Sequence, residues 1–84
     1  MSTLDVTAVW YEALFASALQ PSECPAPGQV RAEINRSLEE LGCGGCVDRV
    51  AQEFGDHPES AQARMRWARD LVAATYRLEA SVAG

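Results

Sequence analysis

The stretch CVDRVAQEFGDHPESAQARMRWARDLVAATYRL, residues 46–78, decides the fold. Val47, Val50, Ala51 and Phe54 recur at helical spacing and predict a short helix over about 46–54, which Gly55 stops. Asp56 then opens a second helix. Asp56 and Glu59 have the spacing of a capping box, and Pro58 falls in the first turn, where a missing N–H is tolerated. That helix extends over about 57–82. At about 100° per residue, Ala61, Met65, Ala68, Leu71, Val72, Thr75 and Leu78 share one apolar face.

Arg64 lies in the middle of that face, whereas Arg66, Arg69 and Arg77 lie opposite it among Glu59 and Asp70. A guanidinium on an apolar face needs a carboxylate or carbonyl partner, because an unpaired buried charge is costly. Asp48 and Glu53 on the preceding helix are the candidates for a structural ion pair with Arg64.

Upstream, residues 29–41 form a helix with a single stripe of Val30, Ile34, Leu38 and Leu41, ended by Gly42. Residues 42–46, GCGGC, read as a flexible turn, and QPSECPAPG at 20–28 is a proline-rich loop. The first helix, about 4–19, has Ser2 or Thr3 as its cap and Asp5 at its positive end. Trp10, Tyr11, Leu14, Phe15 and Leu19 fall in one arc, yet Val6, Val9, Ala13 and Ala16 make the other side apolar too. Such a helix is covered on several sides. In 84 residues the chain has little material with which to cover it. Trp10, Tyr11, Leu14 and Phe15 are therefore candidate anchors for a protein partner or a homodimer. No alternating strand pattern or internal repeat is visible. The expected fold is all-α, a compact four-helix domain spanning residues 1–84.

With 48% hydrophobic and 23% charged residues the chain has an ordered composition. Its seven basic residues, all arginine, face 12 acids for a net charge of −5. That balance repels phosphate backbones and anionic membranes at long range. The N-terminus lacks a basic region ahead of an uninterrupted apolar run, and no apolar stretch of membrane length occurs. A cytoplasmic location without membrane association is expected, with the three cysteines reduced.

Residues 50–72, VAQEFGDHPESAQARMRWARDLV, resemble in spacing the helix-turn-helix of sigma-factor promoter-binding domains. Val50, Ala51, Phe54 and Gly55 match the first helix of that motif, and Ala61, Arg64, Met65, Ala68, Arg69 and Val72 match the second. The resemblance implies a DNA-binding regulator in which the last helix reads the major groove, with Ser60, Gln62, Arg66 and Arg69 as nucleic-acid contacts. The acidic charge, Glu59 at the helix start and the GCGGC connection depart from the pattern. The whole chain also looks like the short helical proteins of GC-rich bacteria, a likeness that implies no activity.

Cys43-Gly-Gly-Cys46 has two chemical readings. As a redox pair, Cys46 at a helix start would have a stabilised thiolate. As a metal site, Cys43 and Cys46 would be joined by Cys24 and His57 around zinc. Otherwise no cofactor is implied. No arrangement for nucleophilic catalysis or phosphate binding is present, so a non-enzymatic protein is expected.

Overall fold

The computed structural model describes the backbone of residues 6–83 and the side chains of residues 7–76. The expected roles of Ser2, Thr3, Leu4, Asp5, Leu78 and the Arg77 side chain lie outside the described residues. Among the described residues three α-helices make up the architecture: α1 (Val6–Ala16), α2 (Pro27–Asp56) and α3 (Pro58–Ala83). A 3-10 turn at Pro21–Glu23 lies between α1 and α2. The radius of gyration, 12.7 Å, is close to the roughly 12 Å expected of a folded chain of this length. Among the described residues no helix is long and apolar enough to cross a membrane.

α1 stops at Ala16, earlier than the apolar pattern suggests. Ser17 folds back on it: the hydroxyl donates to Leu14 O at 2.6 Å and the amide to the same carbonyl at 3.1 Å. Leu19 N–H in turn donates to Ser17 Oγ at 3.2 Å. A serine that offers the backbone an alternative partner ends a helix in this way. Beyond it, the turn is held by Gln20 N–H donating to Glu23 Oε2 at 3.1 Å.

α2 corrects the expected helix count from four to three. Pro27 occupies its first position, and the chain remains helical through GCGGC rather than forming a loop there. The break is confined to Gly42, with φ 73° and ψ 168°. Residues with a Cβ rarely enter this region, so glycine permits a sharp redirection and the helix resumes at Cys43. Gly45 has a different role, since a Cβ there would lie 3.0 Å from Leu41 Cβ.

The junction of α2 and α3 is a single residue. His57 adopts φ −139° and ψ 69°, donates its N–H to Glu53 O at 2.7 Å and accepts from Ala61 N–H at 2.8 Å. Asp56 is the last residue of α2 and not the cap of α3, so the expected capping box does not set the start of α3. Pro58 ensures that one residue suffices, because it cannot extend α2 with an N–H bond but fits a first helical position.

α1 packs against both longer helices, and these pack on each other. Ala13, Leu14 and Phe15 from α1 and Leu19 from the turn after it meet Val30, Ile34 and Cys46 from α2 and Ala61, Ala68 and Val72 from α3. The expected face of α3 is inward, with Thr75 buried beside Val72. α2 departs from expectation. Ser37 is buried while Leu41 is 37% exposed, and Cys46 is buried while Val47 is 47% exposed. The redirection at Gly42 rotates the second half so that Cys46 faces the core in place of Val47.

Gly42→Ala tests the break. The space around a new Cβ is empty within 4 Å, so only backbone strain opposes the change, at about 1–3 kcal/mol. Urea unfolding of the two proteins is expected to show that loss with an unchanged m-value.

Candidate functional site

Arg64 is the most heavily bonded side chain described, and its partners are carbonyls. Nε donates to Phe15 O at 2.7 Å, while Nη2 donates to Ser17 O at 2.9 Å, Leu19 O at 3.0 Å and, more weakly, Leu14 O at 3.4 Å. These are carbonyl acceptors at the end of α1 and in the turn after it, where a cation is favoured by the helix dipole. Arg64 therefore caps α1 from across the core. Among the described residues neither Asp48 nor Glu53 forms an ion pair with it, which corrects the expected structural pairing.

Burial lowers the Arg64 guanidinium below its ordinary range, and the nearby negative charge of Glu53 partly offsets this. The guanidinium carbon also lies 4.9 Å from the Trp67 ring centroid and 5.7 Å from that of Phe15. Sequence pattern alone does not single out Trp67. Its position three residues after Arg64 on one helix was the available signal.

The residues proposed as anchors on α1 divide. Leu14 and Phe15 are 0% and 3% exposed, so they belong to the core and are not surface anchors. Phe15 packs on Phe54 with ring centroids 6.1 Å apart. Trp10 and Tyr11 are half-buried: Trp10 stacks on Tyr76 at 4.1 Å, and Arg69 lies 5.5 Å above the Tyr11 ring. α1 is thus covered on both sides by its own chain, which accounts for its all-round apolarity.

The zinc reading fails on geometry. Cys24 and Cys43 are exposed, Cys46 is buried and His57 is exposed at the helix junction. Among the described residues no group of three or more His, Cys, Asp or Glu side chains is gathered to hold a metal. Cys46 donates weakly from Sγ to Ser37 O at 3.9 Å. Burial, then the neighbouring Cys43 and Glu12, push its thiol up from the usual range, against a lowering by Arg49. This corrects the expectation of a stabilised thiolate at Cys46: the helix resumes at Cys43, so Cys46 sits one turn in and faces the core.

The four nucleic-acid candidates also divide. Ser60 lies with His57, Pro58 and Glu59 on the α2–α3 junction. Gln62, Arg66 and Arg69 instead line one open depression of about 410 Å³, together with Met65 and Asp70 from α3 and Phe54 from α2. Phe54 and Met65 supply its apolar surface, and both are half-buried. Arg66 and Arg69 are exposed, and among the described residues neither forms an ion pair. Sequence spacing separated these arginines from the core face correctly, but Phe54 entered the site only because α2 returns alongside α3.

Comparison with family models, curated proteins and solved structures finds no match for this chain.

Three outcomes test this geometry. Arg64→Met keeps the apolar stem but removes the guanidinium donor from Phe15 O, Ser17 O and Leu19 O, and it is expected to lower unfolding stability by about 3 kcal/mol. Glu53→Gln is expected to cost under about 1 kcal/mol, whereas an ion-pair role would make the two losses comparable. For Cys46, the raised folded pKa means that the unfolded thiol ionises first as pH rises. Its contribution is complete below the unfolded value of about 8.5 and falls above it. The stability gap between the protein and Cys46→Ala should therefore narrow from about pH 8.5 upward in parallel urea titrations.

Proposed function

We propose that this chain is a small non-enzymatic helical interaction module that self-associates through the depression between α2 and α3. The observation that carries the reading is the pairing of an apolar surface, Phe54 and Met65, with two arginines that lack ion-pair partners among the described residues. Its complement is an acidic segment with an exposed apolar side chain. The chain itself supplies one: Glu39 and Glu40 are exposed on α2, followed by Leu41 at 37% exposure. Arg36 engages Glu40 at 3.2 Å, which leaves Glu39 as the free charge.

A two-fold arrangement would satisfy both pairings at once, the depression of each copy receiving the Glu39–Leu41 shoulder of the other. α1 then contributes at the margin, through Tyr11 beneath Arg69, rather than through Leu14 and Phe15. The small apolar area favours a weak dimer, and exposed opposite charges make it sensitive to salt.

A second reading, the helix-turn-helix regulator, draws on the same wall, because Gln62, Arg66 and Arg69 are exposed together on α3. It implies duplex DNA binding that weakens steeply with salt.

Sedimentation velocity across micromolar concentrations separates these readings. The expected outcome is a monomer–dimer equilibrium that shifts to monomer with added salt and in both Arg66→Glu and Leu41→Glu. A strict monomer at every concentration would remove the self-association reading. Salt-sensitive retention of duplex DNA, lost in Arg66→Ala and Arg69→Ala, would install the regulator in its place.

A further inference from the structure

The second half of α2 carries a feature that neither the depression nor the core requires. Gly42 interrupts the helix, so Cys43 is the first helical residue after the break and Cys46 follows one turn later. The two thiols differ sharply in environment. Cys43 is exposed, while Cys46 is 1% exposed and its Sγ lies 3.9 Å from Ser37 O. Side chains three apart on a helix are neighbours, with Cβ atoms about 5–6 Å apart. A disulfide needs roughly 3.5–4.5 Å, so the intervening turn must tighten by about 1–2 Å. Gly44 and Gly45 are the intervening residues, and Gly44 has no atom within 4 Å of the place its Cβ would occupy. The first turn after a helix break, containing two glycines, is where such tightening costs least.

We propose that Cys43 and Cys46 form an exposed-and-buried dithiol that a small-molecule disulfide closes to an intrahelical disulfide. Cys43 is the attacking thiol. Its sulfur bonds to one sulfur of the oxidant, breaking the oxidant's S–S bond and releasing one thiol. Cys46 then loses its proton and attacks the Cys43 sulfur, expelling the second thiol. The pair gives up two electrons and two protons, and the oxidant is reduced to two thiols. The order follows from access, because an oxidant in solvent reaches Cys43 and not Cys46. Closure draws Cys46 away from Ser37 O and the core, so it acts on the segment that also carries Val47 and Phe54. Cys24, exposed on the turn before α2 with no cysteine one helical turn away, is an internal comparison.

Treatment of the full chain with glutathione disulfide, followed by acid quench, alkylation under denaturing conditions and tryptic mapping, tests this. Cleavage after Arg36 and Arg49 isolates Cys43 and Cys46 on one peptide, apart from Cys24. The expected 37–49 peptide has lost two hydrogens, takes no alkylating reagent and is restored by dithiothreitol, while Cys24 carries glutathione. In Cys46→Ala, Cys43 should instead hold glutathione as a lasting adduct, and in Cys43→Ser, Cys46 should remain a free thiol. A wild-type peptide bearing glutathione at Cys43 with Cys46 still alkylatable would overturn the proposal. So would Cys43 and Cys46 remaining free when Cys24 is fully modified, a disulfide to Cys24, or rapid glutathionylation of Cys46 in Cys43→Ser.

Discussion

The guanidinium of Arg64 on the carbonyls that close α1 is the interaction on which the rest of this structure depends. α1 is short, apolar and central, and its C-terminal carbonyls point into the space that α3 must cross. Water cannot easily serve acceptors held against a core, and an unsatisfied buried carbonyl costs about 1–3 kcal/mol. Arg64 answers with two nitrogens on four oxygens, while its guanidinium carbon lies over the rings of Trp67 and Phe15. A lysine has neither the fork nor the planar face for this task. One side chain therefore caps α1 and sets the position of α3 along it.

That cap explains features that otherwise look unrelated. α1 can end at Ala16 because its last carbonyls are served from across the core, and the chain is then free to turn through the proline-rich loop. α3 is held over α1 at its start, which brings Trp10 to Tyr76 and Tyr11 to Arg69 further along. α2 closes the remaining side, and the break at Gly42 lets one long helix follow α1 and then redirect toward α3. No described buried side-chain nitrogen or oxygen lacks a hydrogen bond. A core this small has few apolar contacts to offset such a loss.

Much of this was legible from residue spacing, and the failures have one cause. The inward face of α3 followed from periodicity, and so did the need of Arg64 for a carbonyl or carboxylate. The identity of the partner did not follow, because the carbonyls come from a helix some fifty residues away in sequence. Spacing also showed that α1 is apolar all round, but it could not say whether its own chain or another would cover it. At Gly42 local pattern predicts a helix end, yet only the dihedral angles of that residue break while the turn beyond it stays helical. The resulting rotation exchanged Val47 for Cys46 at the core. In each case local pattern identified the residue, and tertiary geometry decided what it met.

The cover over α1 leaves the seam between α2 and α3 as the surface with unmatched apolar and charged side chains. An apolar helix suggests a partner only while it lacks cover, and here the two longer helices supply that cover. What remains exposed lies where redirection at Gly42 prevents the helices from matching every apolar side chain. Val47 and Leu41 are exposed, and Phe54 and Met65 are half-buried beside the depression. The break that allows α2 to enclose α1 is thus also the source of the surface left over. It places Cys43 at the start of the resumed segment as well. The proposed interaction surface and the proposed dithiol both lie on the segment that Gly42 redirects, so oxidation of the thiols would act on the segment that shapes the depression.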